Sequence, residues 1–391
     1  MTRPRLDSPT IVAYLQLSFV AFFLTGFGST QALLRDEQST SKVVSGLHAV
    51  IFALTGIFAA LLMPRLVARF KRSRVLTLAA VAFSIGLGGY IAPVGPASTL
   101  PAIGLVAIGT TAMIICFSAF LMEHQGAAGP ASLTQANALA AVASVIAPLA
   151  IGIGAAVVLG WRFSLWVILI ALLVVALVTH SRTRVIFDAT TGDKQQTLAW
   201  RDLPNSMWWS VLLVAVFSAI ELTTFLWAAD LLRERGGASP SLAASLVATI
   251  AIGLVIGRIV GTRLAQSHDI DVLLGISGIV ALAGFTITWF SQQTPVMALG
   301  FIIIGAGLSL NRPLGFARAV RAANGPATQA TSLVSVAGGI AFAIFSLTLG
   351  VLAEGFGVHA AFLVLPGLLI AALVVLRFKP ETHFLTSDGH D

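Results

Sequence analysis

The chain has 391 residues, of which 57% are hydrophobic and only 10% charged, with a formal net charge of +7. Soluble domains carry about 25% charged residues, so the composition excludes a water-soluble globular protein and points to one embedded in lipid. Backbone polar groups in hydrocarbon must bond to one another, and no alternating barrel pattern runs through the sequence, so the apolar runs are helices.

A spanning helix needs about 20 mostly apolar residues. In chain order, spans are predicted at 11–34, 42–66, 75–92, 98–122, 131–158, 163–180, 207–232, 240–264, 271–290, 295–320, 327–353 and 359–378. The tail ahead of the first, "MTRPRLDSPT", is basic. The run after it is too long for a signal-peptide core and lacks a clear cleavage site, so it reads as a cytoplasmic tail. With that end inside, Arg3, Arg5, Arg65, Arg69, Lys71, Arg72 and Arg74 fall inside, as do Arg182, Arg184, Lys194, Arg201, Arg263, Arg318, Arg321, Arg377 and Lys379. Only Arg35, Lys42, Arg162, Arg233 and Arg235 fall outside. The bias of about three to one obeys the positive-inside rule. It places both termini in the cytoplasm and the chain as a multi-pass protein, expected in a bacterial inner or plasma membrane. The positive charge is thus a topology signal, and nucleic acid is not an expected partner. The single cysteine, Cys116, lies in an apolar run and excludes an intramolecular disulfide or a multi-cysteine metal site.

The polar loop at 181–206 divides the spans six and six. The expected organisation is an N-terminal bundle at 1–180, a cytoplasmic linker at 181–206 and a C-terminal bundle at 207–391. The two bundles repeat one another. Laying "FVAFFLTGFGSTQALLRDE" from Phe19 on "FSAIELTTFLWAADLLRER" from Phe217 matches Ala21 with Ala219, Thr25 with Thr223, Phe27 with Phe225 and Arg35 with Arg233, while Asp36 meets Glu234. Arg65-Leu66 meets Arg263-Leu264 in the same register, and small loop indels bring "GPASLTQA" onto "GPATQA" and "GWRFSLW" from Gly160 onto "GVHAAF" from Gly357. Chance apolar similarity does not recur in register at four places.

These features resemble the major facilitator superfamily. The resemblance covers nearly the whole chain and implies an all-α membrane fold of twelve transmembrane helices in two homologous six-helix bundles, with a solute site near the midplane between them. It implies that the first, fourth, seventh and tenth spans line a central cavity. The family's loop pattern Gly-x-Leu-x-Asp-Arg-x-Gly-Arg-Arg is matched by "PRLVARFKRSRVL", where Ala68 replaces the acid and Pro64 and Lys71 replace glycines. Its second copy, "GRIVGTRLAQSHD", keeps Gly257, Arg258, Gly261 and Arg263 but has Gln266 at the acidic place. Arg65, Arg69, Arg258 and Arg263 are the gating residues this implies. "ASVIAPLAIG", Ala143 to Gly152, is similar to the fifth-helix pattern of proton-driven exporters with alanines for two glycines; small residues there also simply permit close packing.

Polar residues inside a span are functional candidates by default. Glu221 lies halfway along the seventh span, with Phe217, Ser218, Thr224, Phe225 and Ala228 on its face. A buried carboxylate there can carry a proton reversibly, or serve as the structural partner of a cation. Arg312, between Asn311 and Pro313, shares a face with Gly305, Ser309 and Phe316. It has three readings: a planar clamp for a carboxylate or phosphate of the solute, the counter-ion of Glu221, or a side chain snorkelling to the cytoplasm. The first span offers Ser18, Thr25 and Ser29 with Phe22, and Gln16 near its inner end; the hydroxyls could meet a solute or bond back to their own helix. Trp227 could stack on a solute or anchor at the interface, and Asp230 reads as solvated. His48 reads as a structural histidine, Glu123-His124 as a solvated helix end and Asn137 as a bridge between helices.

The expected function is a secondary active transporter for a small organic solute, working by alternating access and coupled to protons or another ion. No nucleotide-binding motif supplies another driving force. The alternatives are a multidrug-type proton antiporter exporting amphipathic compounds, or a non-transporting membrane receptor. The histidines are scattered and no nucleophile motif appears, so an enzyme is not expected, and neither is a cofactor or metal site. The expected partners are the solute, the coupling ion and membrane lipids, with the chain acting as a monomer.

Overall fold

The computed structural model of the chain describes residues 4–188, 204–265, 267–322 and 327–378. Arg3, Lys194, Arg201, Gln266 and Lys379 therefore lie outside the described residues. The first half comprises α1 (Ser8–Gln38), α2 (Lys42–Phe70), α3 (Arg72–Ile91), α4 (Pro96–Gln125), α5 (Gly129–Ala156) and α6 (Arg162–Asp188). The second comprises α7 (Asn205–Gly236), α8 (Pro240–Leu246), α9 (Ala248–Leu264), α10 (Ile270–Phe290), α11 (Thr294–Leu308), α12 (Asn311–Ala322), α13 (Ala327–Ala361) and α14 (Val364–Phe378).

Nine described stretches are long and apolar enough to cross a membrane, and one of them, Pro96–Ala156, folds as both α4 and α5. With the shorter apolar helices Arg162–Leu177 and Val364–Arg377 they make up the expected spans. The boundaries differ in instructive ways. α6 continues to Asp188, past the expected end of its span and into the predicted linker. The eighth span is split into α8 and α9, and the tenth into α11 and α12. The second break has a local cause. Pro313 has no amide hydrogen for the carbonyl of Ser309, four residues earlier, and its ring crowds that carbonyl. The helix ends at Leu308 and restarts at Asn311, with Pro313 in the first turn, where the missing donor costs least.

The internal repeat survives in backbone conformation. Gly160 and Gly357, matched in the sequence, both adopt left-handed angles, with φ of 73° and 82°. Only glycine takes that conformation without steric cost. Each starts the return into its half's last helix. After Gly160, the Trp161 indole donates to Glu37 at 2.8 Å and Arg162 pairs with the same carboxylate. After Gly357, His359 and Trp289 stack at 4.5 Å and exchange ring-to-carbonyl hydrogen bonds.

The termini sit at one end of the bundle, here the terminal end; the opposite end is the far end. Across the halves α1 packs on α7, α2 on α13, and α5 on α8 and α9. In the repeat α1 corresponds to α7, and the pairing of α2 with α13 mirrors that of α8 and α9 with α5. Backbones meet closely in the far half of these contacts. A methyl group built on Gly28 of α1 would fall on the Phe225 carbonyl of α7, and one on Gly152 of α5 would lie 2.6 Å from the Ser245 amide nitrogen of α8. Gly152 closes the "ASVIAPLAIG" segment, so its small residue is used for packing between halves.

Candidate functional site

The break between α11 and α12 aims Arg312 at α7. Arg312 Nη1 donates to Glu221 Oε1 at 3.4 Å, so the two residues expected at the centre are brought together. Their environments are unequal: the Glu221 side chain is 7% exposed and that of Arg312 43%. The counter-ion reading of Arg312 therefore describes this conformation, with the Arg312 side chain still 43% exposed. Asn311, just before it, is 1% exposed, and neither its amide oxygen nor its amide nitrogen has a hydrogen-bond partner among the described residues. A buried amide left unpaired costs on the order of 1–3 kcal/mol.

Glu221 lies four residues before Phe225, which meets Gly28 of α1. That is about 6 Å of helix at 1.5 Å per residue, so the carboxylate sits just beneath the seam that closes the far end. On α1, Thr25 is partly exposed and Phe22 is buried at 6% exposure. The hydroxyls of Ser18, Thr25 and Thr224 bond back to the carbonyls of Tyr14, Ala21 and Ile220, at 2.8, 2.9 and 2.6 Å. Ser29 is fully buried and without a partner among the described residues. Gln16 donates to the Leu172 carbonyl of α6 at 3.3 Å. Trp227 stands elsewhere than on a cavity wall or a lipid interface. It is fully buried, and a methyl on Gly350 of α13 would lie 3.2 Å from its ring, which places the indole in the far-end seam.

The far end carries ion pairs between the halves. Arg35 of α1 pairs with Asp230 of α7, and Arg233 of α7 pairs with Asp36 of α1 at 2.7 Å. Arg35 and Arg233 are counterparts in the repeat, so the same cation in each half reaches an acid of the other. Lys42 adds a bond to Glu234 at 3.1 Å, and its amide donates to Glu354 of α13 at 2.7 Å. Asp230 thus corrects the sequence reading: it is 4% exposed and buried against Arg35 rather than solvated.

At the terminal end the ion pairs Arg72–Glu123, Arg318–Asp271 and His124–Asp7 each join residues of one half. Arg72 pairs with Glu123 at 2.8 Å, and Asp188 accepts from the Ser73 amide and hydroxyl at 2.9 and 2.8 Å, capping the start of α3. These acids come from α4 and α6 and bind Arg72 and Ser73, just after the signature loop in which Ala68 replaces the acid. In the second half Arg318 binds Asp271 at 2.8 Å and the Ser210 hydroxyl at 2.8 Å. The link between the third and fourth spans is therefore kept in both halves with its polarity reversed. His124 binds Asp7 at 2.7 Å, so Glu123-His124 is a paired helix end, not a solvated one. Asp7 is held below the usual carboxylate value: partial burial pushes it up, but hydrogen bonds from Thr10 and His124 outweigh that. Arg65, Arg69, Arg258 and Arg263, expected as gating residues, are all exposed here, with the Arg69 guanidinium 5.5 Å over the Phe70 ring. His48 is structural in form. Its Nδ1 donates to the Val44 carbonyl at 2.8 Å, and Nε2 meets the Thr99 hydroxyl at 3.0 Å. Asn137 is exposed and bridges no helices among the described residues.

Fold and site define a multi-pass membrane protein of two six-helix halves with an ion pair at its centre. A sequence model described as Major Facilitator Superfamily matches residues 11–328 and 211–388, and the chain belongs to that family. It is 29% identical over 175 residues to "Uncharacterized transporter y4wD" of Sinorhizobium fredii, covering 44% of this chain and 46% of that protein. The chain thus aligns with less than half the length of the curated relatives it matches. Among solved structures it is similar to a mutant of the nucleoside transporter NupG, with a TM-score of 0.77, 12% identity, and 96% and 99% of the two chains covered. It is also similar to the xylose transporter XylE from E. coli in a partially occluded inward open conformation, with a TM-score of 0.75, 14% identity, and 96% and 98% covered. At such identities these likenesses speak for the fold alone.

Proposed function

We propose that the chain is a secondary active transporter that moves a small organic solute by alternating access, with proton coupling through Glu221 and Arg312. The observation that carries this reading is the buried carboxylate of Glu221 held by a half-exposed Arg312 directly beneath the far-end seam. A proton on Glu221 removes its charge and frees Arg312, so proton and solute can be bound at one place. The reading takes further support from the family and from a relative named as an uncharacterized transporter. With the termini in the cytoplasm, as the positive charges argue, the far end is the outer face and this conformation is closed to the outside. Thr25 and Phe22 then belong to the wall on the first half. Ser29, Thr224 and Trp227 come into reach of the solute only when the seam opens. Arg65, Arg69, Arg258 and Arg263 would close the cytoplasmic face in the opposite conformation.

The test is proton flux in proteoliposomes containing a pH-sensitive dye, challenged with xylose, uridine and a set of organic acids. Solute-dependent proton movement is expected for the wild type. Glu221→Gln should keep solute exchange and lose pH-driven accumulation. Exchange and accumulation both unchanged in Glu221→Gln would remove Glu221 from the coupling step.

A further inference from the structure

Arg312 spends little of its bonding capacity on Glu221. A guanidinium has five N–H donors in a planar fork, and the described contact uses one of them, monodentate, at 3.4 Å. Arginine cannot discard its charge to suit an apolar site. The side chain is 43% exposed with no other partner among the described residues, and the orphaned amide of Asn311 stands beside it in sequence at the same helix break. A fork with a free edge matches a planar oxyanion in two-point contact. Glu221 already neutralises Arg312, however, so a second anion can stay only if the first loses its charge.

Resting on the transport reading above, we infer that the solute is an organic monocarboxylate, which replaces Glu221 on Arg312 when Glu221 takes up a proton. The exchange balances. One proton enters from the water-filled space and neutralises Glu221, the Arg312–Glu221 ion pair breaks, and an Arg312–carboxylate pair forms. The local charge is zero before and after. A doubly charged anion such as a phosphate dianion would leave one excess negative charge beside the half-buried Arg312–Glu221 site, where uncompensated charge is costly, so a single negative charge fits best. A neutral polyol would leave the fork without a counter-charge once Glu221 is protonated.

Glu221 has few other charged neighbours to confuse this linkage. Of the elements packed on α7, α12 brings Arg312, and its next cation, Arg318, binds Ser210, eleven residues away along α7, or about 16 Å of helix. The charged or titratable groups of α1 nearest the seam, Arg35, Asp36 and Glu37, lie at the far end with Glu354 and His359 of α13. α14 carries Arg377 in its last turn, and α8 and α11 carry no titratable side chain.

The test is thermal stabilisation of purified protein by a panel of aliphatic and aromatic monocarboxylates, each beside its neutral primary amide, with inorganic phosphate and sorbitol as the other arms. Ligands that bind only the folded state must raise its apparent stability. At least one acid should bind while its amide does not. Its affinity should rise about tenfold per pH unit on going from pH 8 to pH 6, as one linked proton requires, although the acid itself stays ionised. In Glu221→Gln that acid should bind with the same affinity at both pH values, and in Arg312→Gln its preference over the amide should vanish. The inference is overturned if no acid is preferred to its amide, if phosphate or sorbitol stabilises instead, or if acid binding ignores pH in the wild type. These failures leave the transport reading standing where solute-driven proton flux is still observed; absence of flux with every solute would remove that reading as well.

Discussion

The two ends of the bundle use their charges differently. At the far end Arg35, Asp36, Arg233, Glu234 and Lys42 reach across from one half to the other. At the terminal end Arg72 and Glu123, Ser73 and Asp188, and Arg318 and Asp271 bind inside a single half. Contacts within a half persist when the halves rock; contacts between halves must be broken and remade. The far-end pairs are therefore part of a conformational equilibrium, and the terminal-end pairs are part of each half's own stability. The repeat explains how both arise. Repeated residues near the symmetry axis, such as Arg35 and Arg233, meet their counterpart helix, whereas those at the starts of the third spans meet only their own half.

Breaking the buried far-end pair should have the largest effect. Asp230→Asn takes from Arg35, only 11% exposed, the carboxylate it binds directly and leaves only the weaker fields of Asp36 and Glu354, and the loss should be about 3 kcal/mol. The population closed at the far end should fall by about a hundredfold relative to the open one, read as faster labelling of cysteines placed in the seam. Next is Gly28→Ala. Its methyl would collide with backbone, which cannot move aside as a side chain can, and should disfavour closure by about 1–3 kcal/mol. The same labelling assay should move in the same direction, and unchanged labelling would show that the seam does not close as described. Glu123→Gln should act otherwise. It removes one carboxylate partner of buried Arg72 and should lower thermal stability by about 1 kcal/mol, without shifting seam labelling. The smallest effect concerns Asp7. Its carboxylate is held below 3.8, so its contribution is present above that value and is lost as the pH falls through the lower folded value. The melting temperature of the wild type relative to Asp7→Asn should drop by about 1 °C or less between about pH 5 and pH 3, since the pair is partly solvated. A difference independent of pH would mean that neither the Thr10 cap nor the His124 pair favours the charged Asp7 carboxylate in the folded state.

Much of this was legible in the sequence because lipid allows few solutions. Hydropathy gave the spans and the repeat gave the two halves. The repeated glycines at Gly160 and Gly357 even mark the same left-handed turn. The central pair was legible by residue type: an acid and an arginine in spans need partners, and each was the other's candidate. What sequence could not supply was partner choice over distance. Asp230 sits near the end of its span and looks solvated until Arg35 arrives from α1. Arg72 and Ser73, just after the loop where Ala68 replaces the acid, find their carboxylates only when Glu123 and Asp188 arrive from α4 and α6. Trp227, an amphipathic ring near a span's end, suited an interface or a ligand; only the approach of α13 puts it in the seam. The repeat did hold one unused signal, since matched arginines beside matched acids near a symmetry axis can pair reciprocally.

The central claim is that the far-end charges hold the halves together in one of two conformations. It is tested most directly by spin-label distances at both ends of the same protein. The single cysteine, Cys116, is buried and leaves little background, so labels can be placed at Gln38 and Gly355 across the far end and at Phe70 and Leu264 across the terminal end. A short far-end distance and a long terminal-end distance should dominate in the wild type. Asp230→Asn should lengthen the first and shorten the second together. If Asp230→Asn lengthens neither, or moves one end without the other, the far-end pairs are not the latch of an alternating structure and the account fails.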